Sequence, residues 1–198
     1  MRSIIKYLNE SVKRFNIEKW ASSSKYIKDL DKLFKSINKN RSYKILDCGS
    51  GKSSLYYLTT RFPNSKITAI VYPGDKRKID PIKNNIISNN YTLVEKDIMK
   101  YRPSVKFDIV LCDKILGEAT KFGGNFNDIL NKILSIPTKY LVIYDGLDDP
   151  NVDFNLVYSN LKKEEYKIFN KVQRKGRFTN IRGDVYATAM IGLLIKKE

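Results

Sequence analysis

The stretch ILDCGSGKSSLYYL, residues 45–58, joins a short apolar run to an aspartate, a pair of glycines and a helical pattern. Its letters GSGKSS overlap with the phosphate-loop motif G-x-x-x-x-G-K-[ST], whose first glycine opens a wide turn around the phosphates. In this chain that first position is Leu46, which lies inside the apolar run. The loop that precedes Gly51 is therefore one turn too short for the phosphate-loop motif. The stretch predicts a strand, a tight glycine turn and a helix.

A strand, a glycine turn and a helix in this order favour a nucleoside-like ligand lying over the turn. Glycine permits positive φ angles and close approach of a ligand to the backbone. Asp47, at the end of the strand, would repel a phosphate group but would attract an amino group or a ribose hydroxyl. The pattern therefore favours a nucleoside cofactor over a nucleoside triphosphate, and a glycine turn without a ligand is the remaining alternative.

Composition limits the function classes. The chain has 198 residues, the length of one domain, and a net charge of +16. This charge favours an anionic partner such as nucleic acid, although the high content of Lys, Asn and Ile is typical of an AT-rich genome and raises the charge by itself. The chain contains no histidine, which excludes a histidine base, a histidine metal ligand and a Ser-His-Asp triad.

Targeting signals and cysteines indicate a compartment. The N-terminus lacks a signal-peptide pattern, and the longest apolar run, Met190 to Ile195, is too short to cross a bilayer. Cys48 and Cys112 each fall at the end of a predicted strand, where a small buried thiol in a reducing compartment is expected. We expect a cytoplasmic protein without a membrane partner.

Hydrophobic periodicity predicts the order of the elements. Residues 1–40 predict an N-terminal extension of two helices, followed by one domain over residues 41–198. Strands are predicted at 43–47, 66–72, 91–95, 106–112, 139–144, 166–173 and 185–195, and helices at 53–62, 78–89, 126–135 and 154–164. This alternation predicts an α/β fold with a mostly parallel sheet covered on both faces. The last two strands should pair antiparallel, because the dozen residues between them are too few for a crossover helix.

Four segments give the chain a family resemblance. ILDCGSG, LVEKDI, KFDIVLCDKIL and the closing YATAMIGLLIKK resemble motifs of the class I S-adenosylmethionine-dependent methyltransferases, over roughly residues 43–198. The resemblance implies a Rossmann-like sheet of seven strands with an antiparallel C-terminal strand. It also implies S-adenosylmethionine as the cofactor and methyl transfer as the reaction.

The resemblance also implies site residues. Asp113 would stand beside the reactive methyl group as the catalytic residue, and Asp97 would accept a hydrogen bond from the adenine amino group. At the end of the second strand, where the family presents an acidic residue to the ribose, this chain has Val71 and Tyr72. Asp75 either replaces that acidic residue or belongs to a solvated turn. The complete set of implied cofactor-binding residues is Asp47, Gly49, Ser50, Gly51, Tyr72, Asp75, Asp97, Ile98 and Asp113.

The position of the positive charges near the C-terminus suggests which kind of molecule accepts the methyl group. The turn between the last two strands should emerge at the carboxyl edge of the sheet, where such folds bind ligands, and its cations could hold phosphates. A solvated hairpin tip is the alternative interpretation. The predicted substrate-binding residues are Arg174, Lys175, Arg177 and Arg182.

Two other groups of charged residues follow the fourth and fifth predicted strands. Lys114 and Glu118 are interpreted as ordinary charges in a loop that ends at Gly123-Gly124. Asp145, Asp148 and Asp149 follow the fifth strand and resemble the ligands of metal-dependent O-methyltransferases, but acidic loops are usually solvated, and no metal is predicted. The sequence thus favours a methyltransferase acting on RNA or another anionic substrate. Its alternatives are a small-molecule O-methyltransferase and a methyltransferase-like binding domain without catalysis.

Overall fold

The computed structural model of the protein describes residues 24–121, 123–164, 166–179 and 185–196, with the backbone alone for 177–179 and 185–188. The helices are α1 Lys25–Leu33, α2 Lys52–Arg61, α3 Lys76–Asn85, α4 Ile115–Lys121, α5 Phe126–Leu134 and α6 Phe154–Lys163, with 3-10 turns at Phe34–Ser36 and Ile98–Lys100. The strands are β1 Lys44–Cys48, β2 Lys66–Val71, β3 Tyr91–Glu95, β4 Phe107–Asp113, β5 Thr138–Gly146, β6 Lys167–Thr179 and β7 Val185–Lys196. The first predicted N-terminal helix lies outside the described residues.

The seven strands form a single sheet in the order β3-β2-β1-β4-β5-β7-β6. Strands β1 to β5 are parallel, and β7 runs antiparallel to both β5 and β6. This arrangement confirms the predicted fold class and the predicted pairing of the last two strands. Because β1 and β4 are parallel with Cys48 opposite Cys112, Asp47 and Asp113 reach the same edge of the sheet.

Alternate strand residues supply the two cores, because successive side chains point to opposite faces of a sheet. Leu46 and Val110 belong to one buried cluster, which α5 and α6 cover. Their neighbours Ile45 and Ile109 belong to a second cluster, which α1, α2 and α3 cover. Both faces of the parallel strands are therefore buried, as a parallel sheet requires.

Helix α1 packs directly on the C-terminal strands. Leu30 and Leu33 are fully buried in the second cluster. A Cβ atom placed on Gly192 of β7 would lie 2.6 Å from Leu33 Cδ1 and 2.9 Å from Tyr144 Cδ2, so this contact depends on the absence of a side chain. The division between an extension and a domain at residue 40 remains a prediction.

Three local predictions were wrong. Residues 115–121, predicted as loop, form α4, because Ile115 and Leu116 are buried and outweigh the low helix propensity of Gly117. Helix α3 begins before the predicted start at residue 78, so Pro81 lies inside it rather than in its first turn. Strand β6 extends beyond the predicted end at residue 173, because its pairing with β7 continues.

Candidate functional site

A cavity of about 770 Å³ lies at the carboxyl edge, between the ends of β2 and β3 and the helices α3 and α4. Such an edge is where α/β sheets of this kind bind ligands. Gly49, Tyr72, Asp75, Asp97 and Ile98, all predicted cofactor-binding residues, line this cavity. The fold therefore brings together predicted site residues from three separate strand ends.

Asp47 is fully buried at the end of β1. Its Oδ2 atom accepts hydrogen bonds from the hydroxyls of Ser50 and Ser54, the latter at 2.8 Å. Its Oδ1 atom is buried and has no hydrogen-bond partner within the described part of the chain. Burial raises the pKa of Asp47 to about 7, although the two serine hydroxyls oppose that rise. A donor that reached Oδ1 would satisfy this oxygen and stabilise the ionised carboxylate.

The glycine turn follows Asp47 directly. Gly49 has a φ of 69°, a left-handed conformation that side chains rarely adopt, and an added Cβ would lie 2.8 Å from Ile115 Cδ1. Around Gly51 there is open space, since a Cβ there would meet no atom within 4 Å. The turn is anchored by Ser50, whose backbone N–H donates to the carbonyl of Ile70 at 2.7 Å. This geometry leaves backbone atoms of the turn exposed to a ligand.

Asp113 ends β4 and is half-buried. Its Oδ2 atom accepts a hydrogen bond from the Tyr26 hydroxyl at 2.9 Å, and its Oδ1 atom is buried without a partner in the described residues. Burial raises the pKa of Asp113. The next residue, Lys114, has a φ of 56°, a costly backbone conformation of the kind that concentrates at functional sites.

Tyr26 is a site residue that sequence reasoning missed. It comes from α1, and its ring meets the Tyr144 ring edge-on with centroids 5.4 Å apart. Burial raises the pKa of Tyr26 well above its ordinary value, so the phenol keeps its proton and acts as a donor to Asp113. Nothing in the local sequence around Tyr26 indicates a partner 87 residues away.

The remaining predicted cofactor residues differ in how they are held. The Asp75 carboxylate accepts hydrogen bonds from the Arg77 guanidinium, the shorter at 2.9 Å, and these bonds lower the pKa of Asp75. Asp97 caps the following 3-10 turn by accepting from the Met99 N–H at 2.9 Å. The Tyr72 side chain stands in solvent at the rim and is 66% exposed.

An ion pair that sequence reasoning missed crosses the cavity. Lys78 Nζ on α3 lies 2.7 Å from Glu118 Oε2 on α4, and it also donates to the carbonyl oxygen of Gly49 at 3.3 Å. Both side chains line the cavity. Glu118 was interpreted as an ordinary loop charge, because neither α4 nor a contact across 40 residues is visible in the local sequence.

The basic hairpin is the segment from Arg174 to Arg182. Arg174, Lys175 and Arg177, predicted in the turn between the last two strands, belong to β6 instead, because its pairing with β7 continues past them. Arg174 lies opposite Met190, which also pairs with Gly146 at the end of β5, so the hairpin continues beyond the carboxyl edge as predicted. Lys175 is exposed. The side chain of Arg177 and all of Arg182 lie outside the described residues. The predicted role of these four cations in substrate binding remains a prediction.

Arg174 has a structural partner. Its Nε atom lies 2.7 Å from Asp29 Oδ2, and Tyr144 donates its hydroxyl hydrogen to the same oxygen at 2.8 Å. The Arg174 Nη2 group also donates to the Tyr144 hydroxyl at 3.3 Å. Because the Asp29 side chain is only 6% exposed, Arg174 compensates a buried charge and fastens α1 to β6.

The aspartates after β5 hold the loop. Asp145 accepts from the N–H groups of Gly117 at 3.2 Å and Gly146 at 2.9 Å, and burial raises the pKa of Asp145 to about 7. Asp148 accepts from the Ala189 N–H, and Asp149 accepts from Asn151. Within the described ranges there is no group of three or more His, Cys, Asp or Glu side chains arranged for a metal ion.

Both cysteines are buried, as predicted, and neither forms a disulfide. Burial raises the pKa of the Cys112 thiol well above its ordinary value. A buried thiol with a raised pKa is a poor nucleophile.

Several solved structures share this fold. Precorrin-6y C5,15-methyltransferase from Geobacter metallireducens has a TM-score of 0.62 and 16% identity, covering 89% of this chain and 90% of that one. The N-methyltransferase NodS from Bradyrhizobium japonicum, solved with S-adenosyl-L-homocysteine, has a TM-score of 0.61 and 12% identity, covering 94% and 90%. The 16S rRNA methylase RmtB has a TM-score of 0.58 and 16% identity, covering 100% and 76%.

No protein-family model matches the sequence, and no curated protein matches it. The structural likeness nevertheless extends over most of the chain, and the resemblance noted in the sequence is confirmed at the level of fold. The protein has the Rossmann-like fold of the class I S-adenosylmethionine-dependent methyltransferases. Among the described helices, none has the length and apolar character needed to cross a membrane.

Proposed function

We propose that the protein is an S-adenosylmethionine-dependent methyltransferase whose acceptor is RNA or another anionic substrate. One observation carries the cofactor assignment. The buried Asp47 Oδ1 atom has no partner among the described residues and stands beside a glycine turn with open space over Gly51. This oxygen fits the ammonium group of the cofactor's methionine end, because a buried carboxylate is stabilised by a charged donor.

The other predicted residues fit the remaining parts of the cofactor. Gly49 and Gly51 would lie under the methionine end, Asp97 and Ile98 would border the adenine, and Asp75 with Tyr72 would border the ribose. Asp75 lines the cavity, but Arg77 already occupies its carboxylate, so ribose binding there has to share or displace that contact. The bound cofactor would supply the methyl group.

Asp113 is the proposed catalytic residue. Methyl transfer needs an acceptor atom aligned with the methyl group and a group that takes the acceptor's proton when it has one. The Tyr26 hydroxyl holds Asp113 Oδ2, whereas the buried Oδ1 has no partner among the described residues. Oδ1 is therefore the oxygen that would take the acceptor's proton. The raised pKa of Asp113 makes its carboxylate a better proton acceptor than an ordinary exposed aspartate.

We expect S-adenosylmethionine and S-adenosylhomocysteine to bind and ATP not to bind, with or without magnesium. Titration calorimetry at pH 8, where Asp47 with its pKa of about 7 is mostly ionised, measures all three ligands. ATP should fail because the turn is too short to wrap phosphates and begins at a carboxylate. Magnesium-dependent binding of ATP, without binding of S-adenosylhomocysteine, would reject the proposed function.

The acceptor proposal rests on the basic hairpin at the carboxyl edge, and the neighbour that is an rRNA methylase agrees with it. We expect the double variant Lys175→Ala/Arg177→Ala to bind RNA more weakly. Each lost phosphate contact should reduce the magnitude of the slope of log affinity against log salt by about 0.7 to 0.9. Filter binding across a salt series measures this slope. Arg174 is left unchanged, because its loss would also break the Asp29 pair.

The matched control removes the same charge at the opposite edge of the sheet. Lys66 begins β2 and Lys106 precedes β4, and both are exposed. The variant Lys66→Ala/Lys106→Ala should retain the wild-type RNA affinity and salt slope. Equal weakening in both double variants would indicate general charge attraction, and no weakening in either would favour a small-molecule acceptor.

A further inference from the structure

Lys78 is a cation in the lining of the cavity. It lies in the first turn of α3, contacts the Gly49 carbonyl at 3.3 Å and pairs with Glu118 on α4 at 2.7 Å. Lys78, Gly49 and Glu118 all line the cavity. The ion pair therefore joins α3 and α4 in the cavity lining, within hydrogen-bond distance of the glycine turn.

The charges around this turn match an α-amino acid. The positive charge of Lys78 acts on both Asp47 and Asp113, lowering pKa values that burial raises. Both aspartates have a buried oxygen without a partner among the described residues. An α-amino acid carries an ammonium group next to a carboxylate, so these oxygens can take the ammonium while Lys78 takes the carboxylate.

Glu118 already shows that a carboxylate fits against Lys78. Its side chain is 39% exposed, whereas that of Lys78 is 25% exposed. A ligand carboxylate at Lys78 would release Glu118 toward water, where its charge is solvated at little cost. The exchange would give Lys78 a new carboxylate partner in place of Glu118.

We propose that Lys78 binds the carboxylate of the cofactor's amino-acid end and that Glu118 is the exchangeable partner that this carboxylate displaces. The proposal rests on the proposed function, since it assumes a cofactor with an amino-acid end. It assigns a cofactor contact to a helix outside the four sequence motifs. It also gives Glu118 the role of a competitor that limits cofactor affinity.

The test compares two ligands that differ by the amino-acid end. S-adenosylhomocysteine has this end, and 5′-methylthioadenosine lacks it. Neither ligand carries the positive sulfonium charge of S-adenosylmethionine, so removing the charge of Lys78 does not change a repulsion with the sulfur. Lys78→Met keeps the aliphatic stem and removes the charge. We expect it to weaken S-adenosylhomocysteine binding about 10- to 100-fold, the range for a charged hydrogen bond, and to leave 5′-methylthioadenosine binding unchanged.

Two further variants sharpen the test. Glu118→Gln should strengthen S-adenosylhomocysteine binding several-fold, because the competing charge is removed. Lys76→Met takes the same charge from an exposed position of α3 outside the cavity lining and should leave both affinities unchanged. Circular dichroism and thermal unfolding confirm that each variant is folded before its affinities are compared.

The outcomes separate this inference from the function on which it rests. If wild type binds S-adenosylhomocysteine and Lys78→Met binds it equally well, the inference is overturned and the cofactor stands. Equal weakening of both ligands also overturns it, since Lys78 would then shape the cavity without contacting a carboxylate. If wild type binds no S-adenosylhomocysteine, the proposed function fails and this inference fails with it.

Discussion

Replacing Arg174 with methionine is expected to lower the free energy of unfolding by about 3 kcal/mol, near the lower end of the range for breaking a buried ion pair. Among the described residues, the substitution leaves the Asp29 carboxylate, 6% exposed, with the Tyr144 hydroxyl as its one remaining side-chain donor. The Arg174 side chain is itself 23% exposed, so water weakens its interaction with Asp29, and we expect a loss of stability at the lower end of that range. Urea unfolding followed by circular dichroism measures the loss, and the midpoint of thermal unfolding should fall by about 6 to 12 °C.

Two variants show whether the buried charge is the cause. Lys175→Met, at the next and exposed position of the same strand, should change stability by less than about 0.5 kcal/mol. Asp29→Asn/Arg174→Met removes both charges and keeps an acceptor for the Tyr144 hydroxyl, so it should be more stable than Arg174→Met alone. If the single substitution costs as little as Lys175→Met, the ion pair with Asp29 does not stabilise the packing of α1 on β6.

The second large effect is expected at Gly49. Valine there should reduce S-adenosylhomocysteine affinity more than about 100-fold, a loss of about 3 kcal/mol. A residue with a side chain would have to adopt a φ of 69° at this position. Its Cβ would lie 2.8 Å from Ile115 Cδ1 and would displace that atom from the cavity wall. Calorimetry measures binding, and urea unfolding of the same variant separates loss of the site from loss of the fold.

Two further variants separate the cost of the left-handed backbone conformation from the cost of the contact with Ile115. Gly74 has a φ of 73° and nothing within 4 Å of an added Cβ, so Gly74→Val reports the stability cost of the backbone conformation alone. Ile115→Val removes the Cδ1 atom, and Gly49→Ala/Ile115→Val should therefore bind better than Gly49→Ala. Unchanged affinity in Gly49→Val would mean that the cofactor does not lie over this turn.

The sheet could be predicted because the sequence patterns that indicate its strands are local. Each parallel strand is a short apolar run followed by a turn or a helical pattern, and Asp47 and Asp113 stand where two such runs end. In a parallel sheet these ends meet at one edge whatever the detailed packing, so the position of the candidate site followed from the order of the elements. The antiparallel pairing of β6 and β7 followed from the short distance between them in sequence.

The contacts that complete the site could not be predicted, because they join residues far apart in sequence. Asp29 and Arg174 are separated by 145 residues, and neither has a neighbour that indicates an ion pair. Helix α4 was hidden by Gly117, a poor helix former. The packing around that glycine is tight, because a Cβ would lie 3.0 Å from Asp149 Oδ2 and 3.1 Å from Val152 Cγ2.

Helix α1 carries two contacts less than one turn apart. Tyr26 donates to Asp113, and Asp29 holds Arg174 at the base of the basic hairpin. Because both contacts belong to α1, a displacement of this helix would disturb the hydrogen bond to Asp113 and the ion pair with Arg174 together. Loss of the Tyr26 hydrogen bond would raise the pKa of Asp113 further, since that bond favours the ionised carboxylate.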